Sequence, residues 1–301
     1  MKKWKEYYLE CKDIYNKETK IDNSNISIYD LSLQINPSPT DQTYFNQILL
    51  IKNKLDVLYQ DEINYTNTSG ISLSLKDSFN VSKELKIIVD NYLVPYLEKN
   101  IFGCYVQCQN VKIYKTISES LIETSSWLWH FDNNPKEQIK VMIYLNDVDD
   151  NGPFKYLSKY NEAIKIETSK KDYTSWVGGN QAYFETLGKK WKGTRIPSHI
   201  IHKITTEKSC IENNVKGPAG TSILFDNNII HKGTIPVEGF RYAMTLQFQP
   251  INKKLNPNFS KENTGNGWDY NLFSPDPESP IIKKSTYYNI KEAAFIKKPT
   301  L

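Results

Sequence analysis

Hydrophobic side chains recur at helical spacing through the first hundred residues. Five of them near the start would share one face of an amphipathic helix: Trp4, Tyr7, Tyr8, Cys11 and Tyr15. After a linker at Pro37–Thr40, Asp41 is the predicted N-cap of a second helix. A third helix is predicted from Ser82, again as an N-cap. Pro95 should kink or end this third helix, because proline has no amide hydrogen.

From about residue 101, the pattern changes to short apolar runs separated by turn residues. Such runs are typical of strands, and Asn-Gly at 151–152 and Gly-Pro at 217–218 mark turns between them. The predicted strands are Cys104–Tyr114, Trp127–Phe131, Ile139–Leu145, Pro153–Leu157, Thr221–Phe225, Ile229–Thr234 and Arg241–Phe248. Several short strands of this kind favour a sandwich or a barrel.

A long segment without regular pattern interrupts the strands at about residues 158–216. Loops of this length inside a compact domain are commonly lids or disordered, and aromatic residues such as Trp176 and Trp191 favour a lid. The chain after Pro250 is rich in Asn, Lys and Pro, with a helix predicted near Ser285–Lys297. We therefore expect a helical layer over 1–100, a β core over 101–250 with the lid inserted, and a wrapping tail over 251–301.

Composition fits a folded protein and excludes several other classes. Hydrophobic residues make up 39% of the 301 residues, which is enough for a sizeable core. The net charge of +4 comes without a block of basic residues, so neither a nucleic acid nor a membrane surface is an expected partner. There is no apolar run of membrane-span length, no signal-peptide pattern at the start and no CxxC pair. The expected location is therefore the cytoplasm.

Among the four histidines, a metal-binding pattern stands out. His130 and Asp132 are two positions apart at the end of a predicted strand, where both side chains would point to one side. His231, on another predicted strand, could supply a third ligand. Two histidines and one carboxylate suit Fe(II) and leave three adjacent coordination positions open. The alternative is a core histidine that bonds to Asp132.

Arginine is rare in this chain. Of the 38 basic residues, only Arg195 and Arg241 are arginine. Arg241 begins an alternating strand, so it would share one face with Ala243 and Thr245. A guanidinium that faces a barrel interior is costly to bury without an anion, and its planar fork matches a carboxylate. A small dicarboxylate co-substrate is therefore expected beside the metal, with an ion pair to a protein carboxylate as the alternative.

Two stretches that contain these residues resemble the Fe(II)/2-oxoglutarate-dependent dioxygenases, and within them the phytanoyl-CoA dioxygenase-like group. They are WLWHFDNNPKEQIKVMIYLNDVDDNGPF (127–154) and GPAGTSILFDNNIIHKGTIPVEGFRYAMTLQF (217–248). The resemblance implies a mainly β fold, a double-stranded β-helix (jelly-roll, cupin-like) core over roughly 101–250, packed by N-terminal helices. It also implies that His130, Asp132 and His231 hold iron, and that Arg241 binds the distal carboxylate of 2-oxoglutarate.

The activity implied by this resemblance is oxidation of an organic substrate. O2 and 2-oxoglutarate would be consumed, succinate and CO2 released, and an unactivated C–H bond hydroxylated in a small metabolite or carrier-linked intermediate. Halogenating relatives have Gly or Ala where this chain has Asp132, which argues for oxygenation. Two alternatives stay open: a non-catalytic jelly-roll binding protein, or the same chemistry on a protein or nucleic acid. Desaturation and ring closure are open outcomes too, and the oligomeric state is not predicted.

Secondary contacts to the co-substrate are less well matched to the family. Where members often carry Ser two positions after the distal His, this chain has Gly233, with Thr234 next to it. Gln107 and Tyr144 are further candidates for contact with 2-oxoglutarate, and core hydrogen bonding is the alternative for both. His199 and His202, with Arg195 just before them, are candidates for contact with an anionic substrate; the alternative is that the histidines lie at the surface.

Overall fold

The computed structural model describes residues 4–36, 41–67, 72–75, 78–118, 125–132, 134–166, 181–184, 189–192, 194–207 and 209–254. Its helices are α1 (Trp4–Thr19), α2 (Gln42–Leu58), α3 (Ser82–Ile88), α4 (Val94–Leu97) and α5 (Ser198–Glu207). Its strands are β1 (Leu33–Asn36), β2 (Tyr65–Asn67), β3 (Ser72–Leu75), β4 (Val106–Ile117), β5 (Ile139–Tyr144), β6 (Phe154–Lys159), β7 (Glu162–Ala163), β8 (Gln181–Phe184), β9 (Lys189–Lys192), β10 (Ile211–Val215), β11 (Ser222–Asp226), β12 (His231–Lys232) and β13 (Phe240–Pro250).

Two antiparallel sheets form the β core. The larger sheet has seven strands in the order β1-β11-β5-β13-β4-β3-β2, and the smaller joins β10, β6 and β12, with β7 beside β6. One apolar cluster lies between the sheets, with Met142 and Phe225 from the large sheet and Phe154 from the small one. The predicted mainly β core with helical additions is confirmed.

The N-terminal helices cover the outer face of the large sheet. All five apolar residues predicted for one face of α1 are buried. They belong to a cluster that also contains Ile51 of α2 and Val111 and Leu246 of the sheet. Asp41 caps α2 as predicted, since its carboxylate accepts hydrogen bonds from the amides of Thr43 and Tyr44. Helices and sheet therefore share one core.

The helical segment after Ser82 differs from its prediction. Its cap position is Val81, which makes no side-chain capping bond, so the assignment of Ser82 as N-cap is wrong. The helix also does not end at Pro95, because turns of π-helix at Val89–Leu93 and Glu98–Phe102 flank α4. Pro95 lies in the first turn of α4, where the missing amide hydrogen costs little.

Regular structure also occurs where the sequence pattern did not predict it. β1, β2 and β3 extend the large sheet within the first hundred residues. The segment 158–216 contains α5 and β10, so the prediction of an irregular stretch is wrong there. Trp176, the side chain of Trp191 and the helix predicted near Ser285–Lys297 lie outside the described residues. The lid, the tail and the limits of the three regions stay predictions. Among the described residues, no helix is both long and apolar enough to cross a membrane.

Candidate metal centre

The segment His130 to Asp132 is not part of a strand, in contrast to the prediction for Trp127–Phe131. A 3₁₀ turn at Ser125–Trp127 leads into it, and His130 makes isolated antiparallel bridges to His231 and to Arg195. The amides of His130 and His231 each donate to the other residue's carbonyl at 2.9 Å. The strand predicted at Ile229–Thr234 is reduced to the two residues of β12, because only these two continue the regular pairing with β6. Because residues directly opposite each other project to one face, this pairing brings the two imidazoles together.

The three predicted ligands converge on one point. One ligand atom from each of His130, Asp132 and His231 lies within 4.8 Å of the others. His130 Nε2 is 3.8 Å from Asp132 Oδ1, and His231 Nε2 is 3.7 Å from Asp132 Oδ2. The structure thus brings the predicted triad together.

The orientation of both imidazole rings is fixed by their own segments. His130 Nδ1 lies 2.8 Å from the carbonyl oxygen of Leu128, and His231 Nδ1 lies 2.9 Å from that of Ile229. A protonated Nδ1 that donates to a carbonyl leaves the Nε2 lone pair directed into the site. This tautomer is the one expected of a histidine that binds metal through Nε2.

The protonation states of the three candidate ligands also suit a metal cation. Burial lowers the pKa of His130 well below its ordinary value, and it lowers that of His231 as well. For Asp132, burial opposes ionisation, but the charge of the neighbouring Lys140 ammonium and its hydrogen bond to the carboxylate favour it, and the pKa lies below its usual range. Neutral histidines and an ionised carboxylate are the forms that bind a metal ion, so no proton has to leave at neutral pH.

Lys140 contacts the candidate metal centre, although it is not among the predicted site residues. Its Nζ lies 2.6 Å from Asp132 Oδ2. On β5 it is directly opposite Phe225 of β11 and Gln247 of β13, so alternation along the strand puts it on one face with Met142 and Tyr144. That alternation was a usable signal, since a lysine between apolar residues of a central strand is unusual.

Arg241 is buried and has only neutral partners among the described residues. Its side chain is 1% exposed. Nη1 donates to the carbonyl of Gly152, and Nη2 donates to Thr116 Oγ1 at 3.4 Å. Nε is buried and has no hydrogen-bond partner. The alternative of an ion pair with a protein carboxylate is therefore not found in the described part of the chain, and the guanidinium keeps unused capacity for an anion.

Trp127 covers this arginine, although no pattern in the sequence marks it as a site residue. The centre of the Arg241 guanidinium lies 5.6 Å from the centroid of the indole, which is a cation–π distance. The same indole fills the space beside Gly233. A Cβ atom at Gly233 would lie 2.6 Å from Trp127 Cζ3, closer than a side chain can approach. The family's usual Ser is thus sterically excluded here while Trp127 keeps its position.

The other predicted co-substrate contacts are placed differently. Thr234 Oγ1 donates to the carbonyl of Pro153. Tyr144 is fully buried, and its hydroxyl donates to Val215 O at 2.8 Å and accepts from the Phe154 amide at 2.9 Å, so both roles of the hydroxyl are already used. Gln107 pairs with Gln249, at the opposite end of β4 from Thr116, which pairs with Arg241. Roughly 30 Å of strand separates these two levels, so Gln107 is not brought to Arg241.

The histidines of α5 are also not brought to the centre. His199 and His202 are exposed, while the buried face of α5 consists of Ile200, Ile201 and Ile204. The surface interpretation of these histidines is thus the one that the structure supports. Arg195, by contrast, is half-buried and pairs through its backbone with His130.

Comparison with solved structures identifies the fold. EctD from S. alaskensis, crystallised with 2-oxoglutarate and 5-hydroxyectoine, is 12% identical with a TM-score of 0.53, over 85% of this chain and 84% of that chain. The epimerase SnoN, in complex with Fe3+, alpha ketoglutarate and nogalamycin RO, is 8% identical with a TM-score of 0.50, over 90% of this chain and 96% of that chain. The predicted double-stranded β-helix class is confirmed. No family model matches the chain, and no curated protein matches it in sequence. The narrower phytanoyl-CoA dioxygenase-like group stays a prediction.

Proposed function

We propose that this protein is an Fe(II)/2-oxoglutarate-dependent oxygenase that hydroxylates a C–H bond of a small molecule. The observation that carries the proposal is the convergence of His130, Asp132 and His231. The buried Arg241, which has no carboxylate partner in the described ranges, supports the co-substrate assignment. A protein that only binds a ligand has no need for both features together.

The residues present fit the groups that this chemistry requires. Two Nε2 atoms and one carboxylate form a donor set that suits Fe(II) and leaves adjacent positions for other ligands. The orphaned Nε of Arg241 offers a donor to the distal carboxylate of 2-oxoglutarate. When bound, iron with 2-oxoglutarate and O2 would supply the oxidising power that protein side chains lack.

The side chains of this chain would orient and shield these groups. The Nδ1 contacts of His130 and His231 hold their rings in place, and Lys140 holds Asp132. Trp127 covers the Arg241 guanidinium and keeps water from it, which strengthens a charged hydrogen bond. Phe154 packs against His231 at a ring distance of 5.4 Å on the apolar side of the centre.

Small-molecule oxidation is supported by the ligands of the structural neighbours. EctD holds 2-oxoglutarate with 5-hydroxyectoine, and SnoN holds Fe3+ with alpha ketoglutarate and nogalamycin RO. SnoN is an epimerase, so this fold also hosts an outcome other than hydroxylation. Hydroxylation is proposed here because oxidation of a C–H bond by this chemistry normally gives a hydroxylated product, and the presence of Asp132 argues against halogenation.

Metal and co-substrate binding test the proposal separately. Asp132→Ala and His231→Ala should lose Mn(II), used as a stable substitute for iron, in equilibrium dialysis, and should release no succinate with Fe(II). Arg241→Ala should retain Mn(II) but bind 2-oxoglutarate roughly 30- to several-thousand-fold more weakly, because a buried charged partner is lost. His199→Ala is the matched control, since this histidine is exposed. Wild-type metal content and turnover in either ligand variant would reject the proposed function.

A further inference from the structure

Arg195 lies in a third chain segment beside the candidate metal centre. Its backbone bridges His130, which also bridges His231. The Ile196 amide donates to the carbonyl of Trp129 at 2.8 Å, and the Phe131 amide donates to that of Thr194 at 3.2 Å. The three segments therefore run side by side in the order His231, His130, Arg195.

This pairing determines where the Arg195 side chain projects. Residues directly opposite each other in antiparallel pairs project to the same face. Since His130 is opposite both partners, the Arg195 side chain lies on the face where Asp132 completes the ligand group. Electrostatics agree with this placement. Burial is the main cause of the lowered pKa of His130 and His231, but the Arg195 charge lowers both further.

The Arg195 guanidinium forms no close ion pair among the described residues, although the charge of Asp132 acts on it from a longer distance. It is half-buried, and the hydrogen bond it makes there runs from Nη1 to Thr194 Oγ1 at 3.0 Å. The nearby carboxylate of Asp132 is instead paired with Lys140. A partly desolvated guanidinium without an anion is unfavourable, and its fork matches carboxylate or phosphate oxygens.

The segment that carries Arg195 is held in place before any ligand arrives. α5 follows it directly, and Ile196 and Ile200 are buried in one apolar cluster with Phe131 and Leu157. Phe131 lies between the ligands His130 and Asp132, so one cluster supports both the metal site and Arg195. Because this backbone is already packed in place, binding at Arg195 requires little further ordering of the segment.

We propose that Arg195 binds the substrate, and that this substrate carries an oxyanion group, a carboxylate or a phosphate ester, held next to the iron. The inference rests on the proposed function, because Arg241 is assigned to 2-oxoglutarate and Lys140 is paired with Asp132. Among the residues that the structure describes near the three ligands, Arg195 is then the cation left for the substrate. The oxidised C–H bond would lie within a few bonds of the oxyanion, since Arg195 is fixed beside His130.

Nuclear relaxation of two probes, inorganic phosphate and ¹³C-labelled propionate, tests this assignment. Both are titrated into Mn(II)-loaded protein with saturating 2-oxoglutarate, where a bound probe near the metal relaxes faster. We expect this effect for at least one probe in the wild type, and roughly 10- to 100-fold weaker binding in Arg195→Gln. Arg195→Lys should bind with intermediate affinity. Lys203→Gln, which removes a partly exposed cation of α5 that lies near Glu207, is the matched control and should match the wild type.

The possible results separate this inference from the proposed function. Equal probe binding in Arg195→Gln and wild type would overturn the inference while leaving metal and co-substrate binding intact. A loss of 2-oxoglutarate affinity in Arg195→Gln would also overturn it, by making Arg195 a co-substrate residue. Binding of the same two probes to metal-free protein is measured in parallel, from the broadening of the probe resonances. If Mn(II) does not bind but the probes still depend on Arg195, the anion site stands and the oxygenase proposal fails.

Discussion

At the scale of single residues, Gly233 and Trp127 share a space that admits only one side chain. A Cβ atom at position 233 would meet the indole at 2.6 Å, and the same indole lies over the Arg241 guanidinium. Gly233→Ala should therefore displace Trp127 and weaken 2-oxoglutarate binding roughly 3- to 30-fold, the range of a lost cation–π contact. Equilibrium dialysis of 2-oxoglutarate on Mn(II)-loaded protein measures this change, while Mn(II) affinity should stay at the wild-type value.

A double variant that also changes Trp127 serves as the control for this prediction. Trp127→Phe removes the six-membered part of the indole that carries Cζ3, so Gly233→Ala combined with Trp127→Phe should bind more tightly than Gly233→Ala alone. If the alanine variant binds 2-oxoglutarate like the wild type, or if the double variant binds more weakly than either single one, the indole does not support the arginine in this way.

Some of these residues could be predicted from the sequence and others could not. His130 and Asp132 were found through their close spacing, and Arg241 through its rarity and its alternating strand. Trp127 acts through contacts with positions 233 and 241, which are more than a hundred residues away, so no local pattern marks it. The strand position of Tyr144 makes it a candidate contact, but that position does not reveal the two backbone groups that bind its hydroxyl.

At the scale of elements, the joint between the last helical turn and β4 contains an acid with a raised pKa. Burial raises the pKa of Glu98 from 4.5 to about 7, although a hydrogen bond from the Val106 amide opposes the shift. Between pH 4.5 and about 7, Glu98 therefore stays protonated in the folded state, whereas the unfolded chain loses this proton. This carboxyl group should reduce stability as pH rises from 4.5 through 7, and should have no such effect below 4.5.

Glu98→Gln removes this titration while keeping an acceptor for the Val106 amide, which lies 3.3 Å from Glu98 Oε1. At pH 8, the variant should be more stable than the wild type by roughly 1–2 kcal/mol, after allowance for partial exposure. At pH 4, the two should be nearly equal. Urea unfolding at both pH values measures the difference, with the half-exposed Glu207→Gln as control. A gain that is the same at both pH values would contradict the linkage.

Helices were easier to predict than short strands, for a physical reason. α1 and α2 carry long apolar patterns of their own, whereas β1 is mostly exposed at the sheet edge and is defined by its pairing with β11. The bridge that positions His130 is likewise a long-range pairing, made to His231 and to Arg195. Periodicity within a segment does not contain such information, so the strand predicted around His130 was wrong, although the structure does bring the side chains of His130, Asp132 and His231 together.

At the scale of the whole molecule, the N-terminal helices and the β core share one hydrophobic cluster. Residues of α1 and α2 lie in the same apolar cluster as residues of β4, β5 and β13. Side-chain bonds reinforce this connection: the Tyr29 hydroxyl donates to Glu137 Oε1 at 2.6 Å, next to the start of β5. A shared core predicts that the helical layer and the β core unfold together.

Ile51→Ala tests this cooperativity, because Ile51 is 0% exposed on α2 and packs in the shared cluster. The truncation should lower the free energy of unfolding by about 2–5 kcal/mol through lost burial and the cavity left behind. Val57→Ala, on the same helix but 66% exposed, should change it by less than about 0.5 kcal/mol. Far-ultraviolet circular dichroism, which reports the helices, and near-ultraviolet dichroism, which reports packed aromatic rings, should shift to lower urea by the same amount. Two separate transitions, with the helical signal lost first while aromatic packing persists, would show that the helical layer unfolds independently.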